Sequence, residues 1–443
     1  MAEIAPFRGI LYTRHDASKL LAPPYDVINE AERADLEALD PANCVRLILP
    51  RPVAGQPDDS KYDHAATLMK AWLADGTLAR DAKPAVYRYH QLFRANDQDV
   101  VRKGYIARVR LHRFDEGVIL PHERTLSGPK MDRLKLMRAT HAHFSQIFGL
   151  YPDPARESDR FFERVEGEAP AIEGKTADGV TQRLWRLTDA AALRGLMDFM
   201  ADRKIYIADG HHRYETMLTL RDELRPLAEA AGTGARSAVE YGVMFFCNMD
   251  DPGLVVLGTH RVLHGLASFD RASLLSRASA FFTIEEKPIG DVPTMRATLA
   301  RAADPGVAFG VMTPDSSKMA ILRLREDLDP AQIPSLPQKE ALRTLDVTVL
   351  HALILENLLG IDREAQAKQT NLRYVKTWDA ALAERTVAGT QAVFLMNPTK
   401  VSQVKAVSDI GEVMPQKSTF FYPKIASGLV SNPIDPAETV DRV

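Results

Sequence analysis

The sequence predicts an α+β protein of two domains, and three observations carry that reading. Strand-like and helix-like segments are mixed without the steady strand–helix–strand beat of a doubly wound parallel sheet. A chain of 443 residues exceeds one domain on a prior of about 150 residues each. The character of the segments changes near Leu266, which gives a first domain over residues 1–265 and a second α+β domain over 266–443.

In chain order, Phe7 to Tyr12 and Val45 to Leu49 read as short extended pieces. Between them, Ala22-Pro23-Pro24-Tyr25-Asp26-Val27-Ile28 is a rigid turn, because two prolines fix φ and remove two donors. Residues 63–75 have helical spacing, with Ala66, Met69, Trp72 and Leu73 on one face and Gly76 as a stop. Ala85 to Phe93 and Gly104 to Leu111 alternate as two strands, and the polar stretch Arg94 to Asp99 joins them as a hairpin. Lys130 to His141 is a basic helix. Glu163 to Gly179 is an exposed loop or hairpin, and Ala190 to Met200 a helix. Tyr241 to Asn248 is a buried strand, and Val255 to Val262 another. Beyond Leu266, helices over Arg271 to Phe281 and Met295 to Arg301 alternate with strands over Val307 to Met312 and Met319 to Leu324. Asp346 to Leu359 is an amphipathic helix ended by Gly360, and Ala392 to Met396 is an apolar strand.

Composition narrows the function classes. A net charge of −3 argues against a nucleic-acid binder, which needs a basic surface. No apolar run approaches the roughly 20 residues of a membrane span. The N-terminal stretch lacks a basic segment followed by an apolar core, and the only cysteines are Cys44 and Cys247. A cytoplasmic protein is expected, with neither a disulfide framework nor a cysteine zinc site.

The most informative stretch is Ala208-Asp209-Gly210-His211-His212-Arg213-Tyr214-Glu215-Thr216, directly after the apolar run Ile205-Tyr206-Ile207. A short strand there delivers a tight turn into a helix. Gly210 lets a phosphate approach the backbone, and the first N–H groups of the helix favour an anion. Arg213 is suited to fork onto phosphate oxygens, and His211 and His212 to donate hydrogen bonds or move protons. Asp209 is suited to hold magnesium, orient a histidine or cap the helix.

A second cluster is Pro121-His122-Glu123-Arg124-Thr125, in which Glu123 is a candidate general base and His122 its partner. Lys130, Arg133, Lys135 and Arg138 form a basic run with a phosphate role open, Arg133 being the chosen candidate. Tyr25-Asp26 suits either a packing turn or a substrate contact. His141 and His143 have strand spacing but no evident third metal ligand. Thr259-His260-Arg261 can add an anion contact or end a strand. The segment from Met414 to Lys424 is either a lid carrying Lys417, Ser418, Thr419 and Lys424 or a structural wrap. There is no P-loop, no Gly-x-Gly-x-x-Gly after a strand, no nucleophile elbow and no His-Glu-x-x-His.

With these residues in view, the chain resembles a family of mostly uncharacterised bacterial and archaeal proteins. The marks are Pro-Pro-Tyr-Asp-Val-Ile (23–28), Pro-His-Glu-x-Thr (121–125), the 208–216 stretch and Met-Pro-Gln-Lys-Ser-Thr-Phe-Phe-Tyr-Pro-Lys (414–424). More distantly, Pro-His-Glu followed by Asp-Gly-His-His-Arg is similar to the free serine kinases of the ParB/sulfiredoxin superfamily. That resemblance covers about residues 85–265. It implies a ParB/sulfiredoxin-like core with a large insertion, around Tyr151 to Gln182, to accommodate the long gap from Glu123 to Asp209. His211 stands where sulfiredoxins carry their catalytic cysteine, which excludes sulfiredoxin chemistry.

The resemblance implies a nucleotide-dependent phosphotransferase acting on a small hydroxylated metabolite, with free L-serine the first candidate. Glu123, His211 and His212 are then the catalytic candidates. Asp209, Gly210, His211, His212, Arg213 and Arg133 form the phosphate cradle, with Mg2+ on Asp209 and ATP or ADP (or CTP) as nucleotide. Tyr25, Asp26, His122, Arg124 and Thr125 are the substrate-binding candidates. The alternative is a ParB-like nucleotide switch without turnover. No nucleic-acid or membrane partner is expected, and a homo-oligomer is compatible with the sequence.

Overall fold

A computed structural model describes residues 2–123 and 128–440, without the side chains of Gly128 and Pro129. The chain divides into two compact units. One comprises Met1–Pro121, Thr125–Val255 and Pro423–Val443; the other comprises His122–Arg124 and Val256–Tyr422. The sequence reading placed the division at residue 265 and gave the whole remainder to the second domain. Here the second unit begins about ten residues earlier, and the last stretch of chain belongs to the first.

The first unit is built on a mixed nine-stranded sheet. Its path runs through Ile119–Leu120, Ile205–Asp209, Ile147–Tyr151, Tyr241–Asn248, Gln98–Arg110, Val86–Ala95, Thr181–Leu187 and Ile172–Lys175, and Ile4–Ala5 joins Gln98–Arg110 from off the path. The Val86–Ala95 and Gln98–Arg110 strands form the expected hairpin, and Asn96 and Asp97 take φ of 50° and 64° at its tip. Two consecutive positive φ values are the twist-compatible way to close a two-residue hairpin, and Asn and Asp tolerate them best. Tyr241–Asn248 is buried along its whole length, as its apolar run requires of a strand covered on both faces. Ile172–Lys175, from the region read as an insertion, pairs with Thr181–Leu187, which pairs with Val86–Ala95, so both extend the main sheet.

The second unit has its own six-stranded antiparallel sheet, in the order Phe282–Pro288, Lys318–Leu324, Ala308–Met312, Thr390–Met396, His260–His264 and Leu372–Val375. Met295, Leu299 and Ala381, from helices Val292–Ala302 and Trp378–Glu384, pack on Val262, Met312, Ile321, Val393 and Leu395 of the strands. Both units are α+β. Among the described residues, no helix is long and apolar enough to cross a membrane.

Two local expectations are corrected. Val45–Ile48 is a short helix rather than a strand. The Asn43 side chain accepts the Val45 N–H at 2.9 Å and starts a helical turn there, and four apolar residues carry too little period to reveal it. The segment read as an amphipathic helix from Asp346 begins as a helix over Asp346–Val349 and continues as a π-helix over Leu350–Leu358, buried without a break from Val347 to Leu355. The Leu359 N–H reaches the Ile354 carbonyl, five residues back, at 2.9 Å.

Candidate functional site

In the first unit, strand Ile205–Asp209 pairs with Ile147–Tyr151, and its register shifts between Ile207 and Asp209. Such an irregularity re-aims the residues beyond it. Gly210 follows at φ 95° and opens the 20-residue helix His211–Ala230, whose start has no side-chain cap. Only glycine suits this position. The φ is left-handed, and a Cβ would stand 3.1 Å from the Arg213 Cζ.

Asp209 is the hub of the turn. Its Oδ2 accepts a hydrogen bond from Arg213 Nη2 at 2.5 Å, and its Oδ1 pairs with the Lys424 ammonium. Arg213 is buried, and its Nη1 donates to the Gln146 carbonyl at 2.5 Å. Burial alone would raise the Asp209 carboxyl, but Lys424 and Arg213 outweigh it and hold the carboxyl well below the usual range. One carboxylate therefore faces two cations. Asp209, Arg213 and Lys424 together sum to one positive charge at the positive end of a long helix, which is an environment that favours an anion.

Lys424 reaches this place because its main chain is clamped. Gln91 Nε2 donates to the Lys424 carbonyl at 3.0 Å, and Arg102 Nη2 to the Pro423 carbonyl at 2.5 Å. Arg102 is fully buried, pairs with Gln91 Oε1 and stacks on Phe148 at 4.7 Å. The sequence reading noticed Lys424 in the tail motif but did not bring it to Asp209, 215 residues away. The signal available was the motif's run of polar residues around two prolines.

His211 is buried and His212 half-buried at the head of the helix, and the His212 carbonyl accepts from Thr216 Oγ1 at 2.7 Å. Tyr214 fixes the helix: its hydroxyl accepts from the His112 N–H and donates to the His112 carbonyl, at 2.9 and 2.7 Å. Tyr25 opens the short 3-10 turn Tyr25–Val27 behind Pro24, with its ring 4.0 Å from the Arg133 guanidinium. Burial raises the Tyr25 hydroxyl, and the fields of Arg213 and Arg133 oppose that shift. Asp209, Gly210, His211, His212, Arg213, Arg133 and Tyr25 are thus gathered in one unit, and Asp26 lies exposed beside Tyr25.

Arg133 is a brace. It is buried, donates to the Ile48 carbonyl at 2.5 Å and pairs with Asp132. The rest of the basic run is on ion-pair duty: Lys130 with Glu215, Lys135 with Asp59 at 2.6 Å, and Arg138 with Glu223 at 2.5 Å. His143 is a buried packing residue that shares a hydrogen bond with Asn432 at 3.0 Å; burial, reinforced by Arg108, lowers it to about 3. Among the described residues, no group of three or more His, Cys, Asp or Glu is arranged to hold a metal. Magnesium does not need one, since it commonly takes one carboxylate together with substrate phosphates and water.

The Pro-His-Glu cluster belongs to the second unit from His122 onward. His122 is fully buried, with Nε2 3.0 Å from Thr419 Oγ1 and its ring edge-on to Phe421 at 6.3 Å. Its carbonyl accepts the Met414 N–H at 2.8 Å, and Glu123 forms a parallel bridge with Met414. The Glu123 carboxylate is 26% exposed, and its Oε1 stands 3.9 Å from His122 Nε2. Met414, Thr419 and Phe421 of the tail motif therefore contact His122 and Glu123, while Lys424 pairs with Asp209. Arg124 and Thr125 lie outside the described residues.

Residues 4–348 match the model of the family described as "Protein of unknown function (DUF1015)". The chain belongs to this family. No curated protein matches the chain. Solved structures similar to it include a conserved hypothetical protein from Pyrococcus furiosus, 14% identical over 70% of this chain and 89% of that one, with a TM-score of 0.34. A free serine kinase in complex with AMP is 13% identical, covering 74% of this chain and 89% of that one, with a TM-score of 0.33. SbnI from Staphylococcus aureus, with a C-terminal truncation, is 10% identical, covering 73% and 85%, with a TM-score of 0.32.

Proposed function

We propose that this DUF1015 protein is a nucleotide-dependent phosphotransferase acting on a small hydroxylated metabolite, with free L-serine the first acceptor to test, and that its first unit carries a ParB/sulfiredoxin-like core. The observation that carries the reading is the Asp209 turn: one carboxylate between Arg213 and Lys424, at the start of a 20-residue helix opened by a left-handed glycine. Phosphoryl transfer is mostly positioning and charge stabilisation, and a helix N-terminus with a surplus cation supplies both.

In this reading the nucleotide phosphates lie against the N–H groups that open the helix, with Lys424 as a cation beside them. Arg213 holds Asp209 in place and adds to the positive field. Asp209 would be the protein residue to hold Mg2+, which would neutralise charge on the phosphates. His211 and His212 donate hydrogen bonds to phosphate oxygens. Tyr25, Asp26, His122, Arg124 and Thr125 are the substrate-binding candidates, and Arg133 orients Tyr25. Glu123 keeps the role of general base that the sequence resemblance implies. It takes the proton of the acceptor hydroxyl as its oxygen bonds to the terminal phosphorus and the bond from that phosphorus to the bridging oxygen breaks.

The test is 31P NMR of the full chain with Mg2+, ATP or ADP, and a panel of hydroxylated amino acids and polyols. A new phosphomonoester resonance matched by loss of the terminal phosphoryl group supports the reading. Nucleotide binding without any phosphoester would favour a switch that binds and does not turn over. No binding of ATP, ADP or CTP would remove both.

A further inference from the structure

The second unit buries an arginine whose hydrogen-bond partners, among the described residues, include no acid. Arg261, on strand His260–His264, is 1% exposed. Its Nε donates to His351 Nε2 at 3.3 Å, Nη1 donates to the Thr259 carbonyl and Nη2 to the Lys417 carbonyl at 3.1 Å, and Tyr374 lies 5.5 Å from the guanidinium. Among the described residues, none of these partners is a carboxylate. A buried charge without a counterion is costly, and such a group is retained where something else supplies the opposite charge.

Two of those partners, His351 and Tyr374, also line a cavity of about 280 Å3. Thr348, Ala352, Gln366 and Met414 line it too. The Thr348 hydroxyl oxygen is buried with no hydrogen-bond partner, which is the second sign of a missing group. By accepting from Arg261, His351 Nε2 leaves the ring proton on Nδ1. Burial, reinforced by the field of Arg261, lowers the ring to about 3, so it stays a neutral donor. At the mouth, Arg363 and Glu356 stand 3.5 Å apart and balance each other. Arg261 itself stands behind this wall, bonded to His351, and the lining pair Arg363 and Glu356 leaves its charge unbalanced.

We infer that this cavity binds a small organic monocarboxylate, its charge compensating Arg261 through the His351–Tyr374 wall and its body lying against Ala352 and Met414. One surplus charge suits a monoanion, and a phosphate dianion would overcompensate it. The cavity volume of about 280 Å3 suits a small organic acid rather than a macromolecule.

The test is calorimetric titration of the full chain with sodium phenylacetate and sodium 4-methylpentanoate, each against its neutral primary amide. At least one carboxylate should bind with a Kd below about 1 mM and at least tenfold more tightly than its amide, the ordinary discrimination of a charge-assisted contact. Ala367→Trp, at an exposed position on the cavity wall, should weaken that binding at least tenfold without unfolding the chain. Arg261→Gln should erase the preference of acid over amide. If that variant does not fold, Thr348→Val and Ala367→Trp decide. Carboxylates that bind no better than their amides, or that bind equally well to Ala367→Trp, overturn the inference.

Discussion

Replacing Lys424 by methionine probes the charge balance of the Asp209 turn. Methionine keeps most of the stem and removes the ammonium that pairs with Asp209 Oδ1. Arg213 remains on Oδ2 at 2.5 Å, so the carboxylate stays partnered, and the surplus of one positive charge falls to zero. A unit charge about 5 Å from a phosphate, at an effective dielectric constant of about 20, is worth roughly 3 kcal/mol. A charge-assisted hydrogen bond is worth about 1.5–3 kcal/mol. Both ends of the pair are partly open to water, with side chains 17% and 19% exposed, so the folding cost should stay modest. The expected outcome is a Kd for ADP raised by about 10- to 150-fold, with a shallower dependence on salt than in the parent. Isothermal titration at two salt concentrations reads both. A parent that binds ADP and a variant that binds it within twofold, with the same salt slope, would refute the assignment of Lys424 to the phosphates.

Gly210→Ala forces a side chain into a φ of 95° and to within 3.1 Å of Arg213 Cζ; it should cost about 1–2 kcal/mol of stability and remove nucleotide binding, read by denaturant unfolding and titration. Glu123→Gln should leave folding and nucleotide binding intact and cut turnover by roughly 10²–10⁴ on the true acceptor; full activity would remove Glu123 from the mechanism. Burial raises the Asp346 carboxyl in the second unit to about 7, with the Asn397 amide 3.4 Å away. Because the folded value lies above the unfolded value of about 3.9, its contribution is complete below pH 4 and is lost as pH rises towards 7, by roughly 4 kcal/mol at most. Asp346→Asn should therefore melt progressively higher than the parent between pH 5 and pH 8, and a constant difference would contradict the raised carboxyl.

Much of this architecture could be read from residues. Val86, Tyr87, Tyr89 and Leu92 and the run from Tyr241 to Asn248 mark strands; continuous apolarity records the burial of the second, whereas Arg88, His90 and Gln91 of the first are buried too, which period 2 does not show. Gly210 between an apolar run and a helix former marked the turn, because few other residues take its backbone angles. What stayed hidden depended on tertiary structure. Val45 to Ile48 carry no period long enough to separate helix from strand. The burial of Val347 to Leu355 on all sides is set by neighbours, which a stripe of apolar residues does not reveal. Arg213 and Arg133 were chosen for their charge, but the structure gives both a bracing role towards Asp209, Gln146, Asp132 and Ile48. Lys424 joins Asp209 through Gln91 and Arg102, and no local pattern announces a clamp made by residues so distant in the chain.

The central claim is that nucleotide phosphates are held by the Asp209 turn and Lys424. A crystal structure of the full chain with Mg2+ and ADP tests it most directly. The phosphate oxygens should lie within about 2.7–3.2 Å of Lys424 Nζ and of backbone N–H groups in the first turn of His211–Ala230. ADP bound elsewhere in the molecule, with Lys424 still on Asp209 and no anion at the helix start, would contradict it.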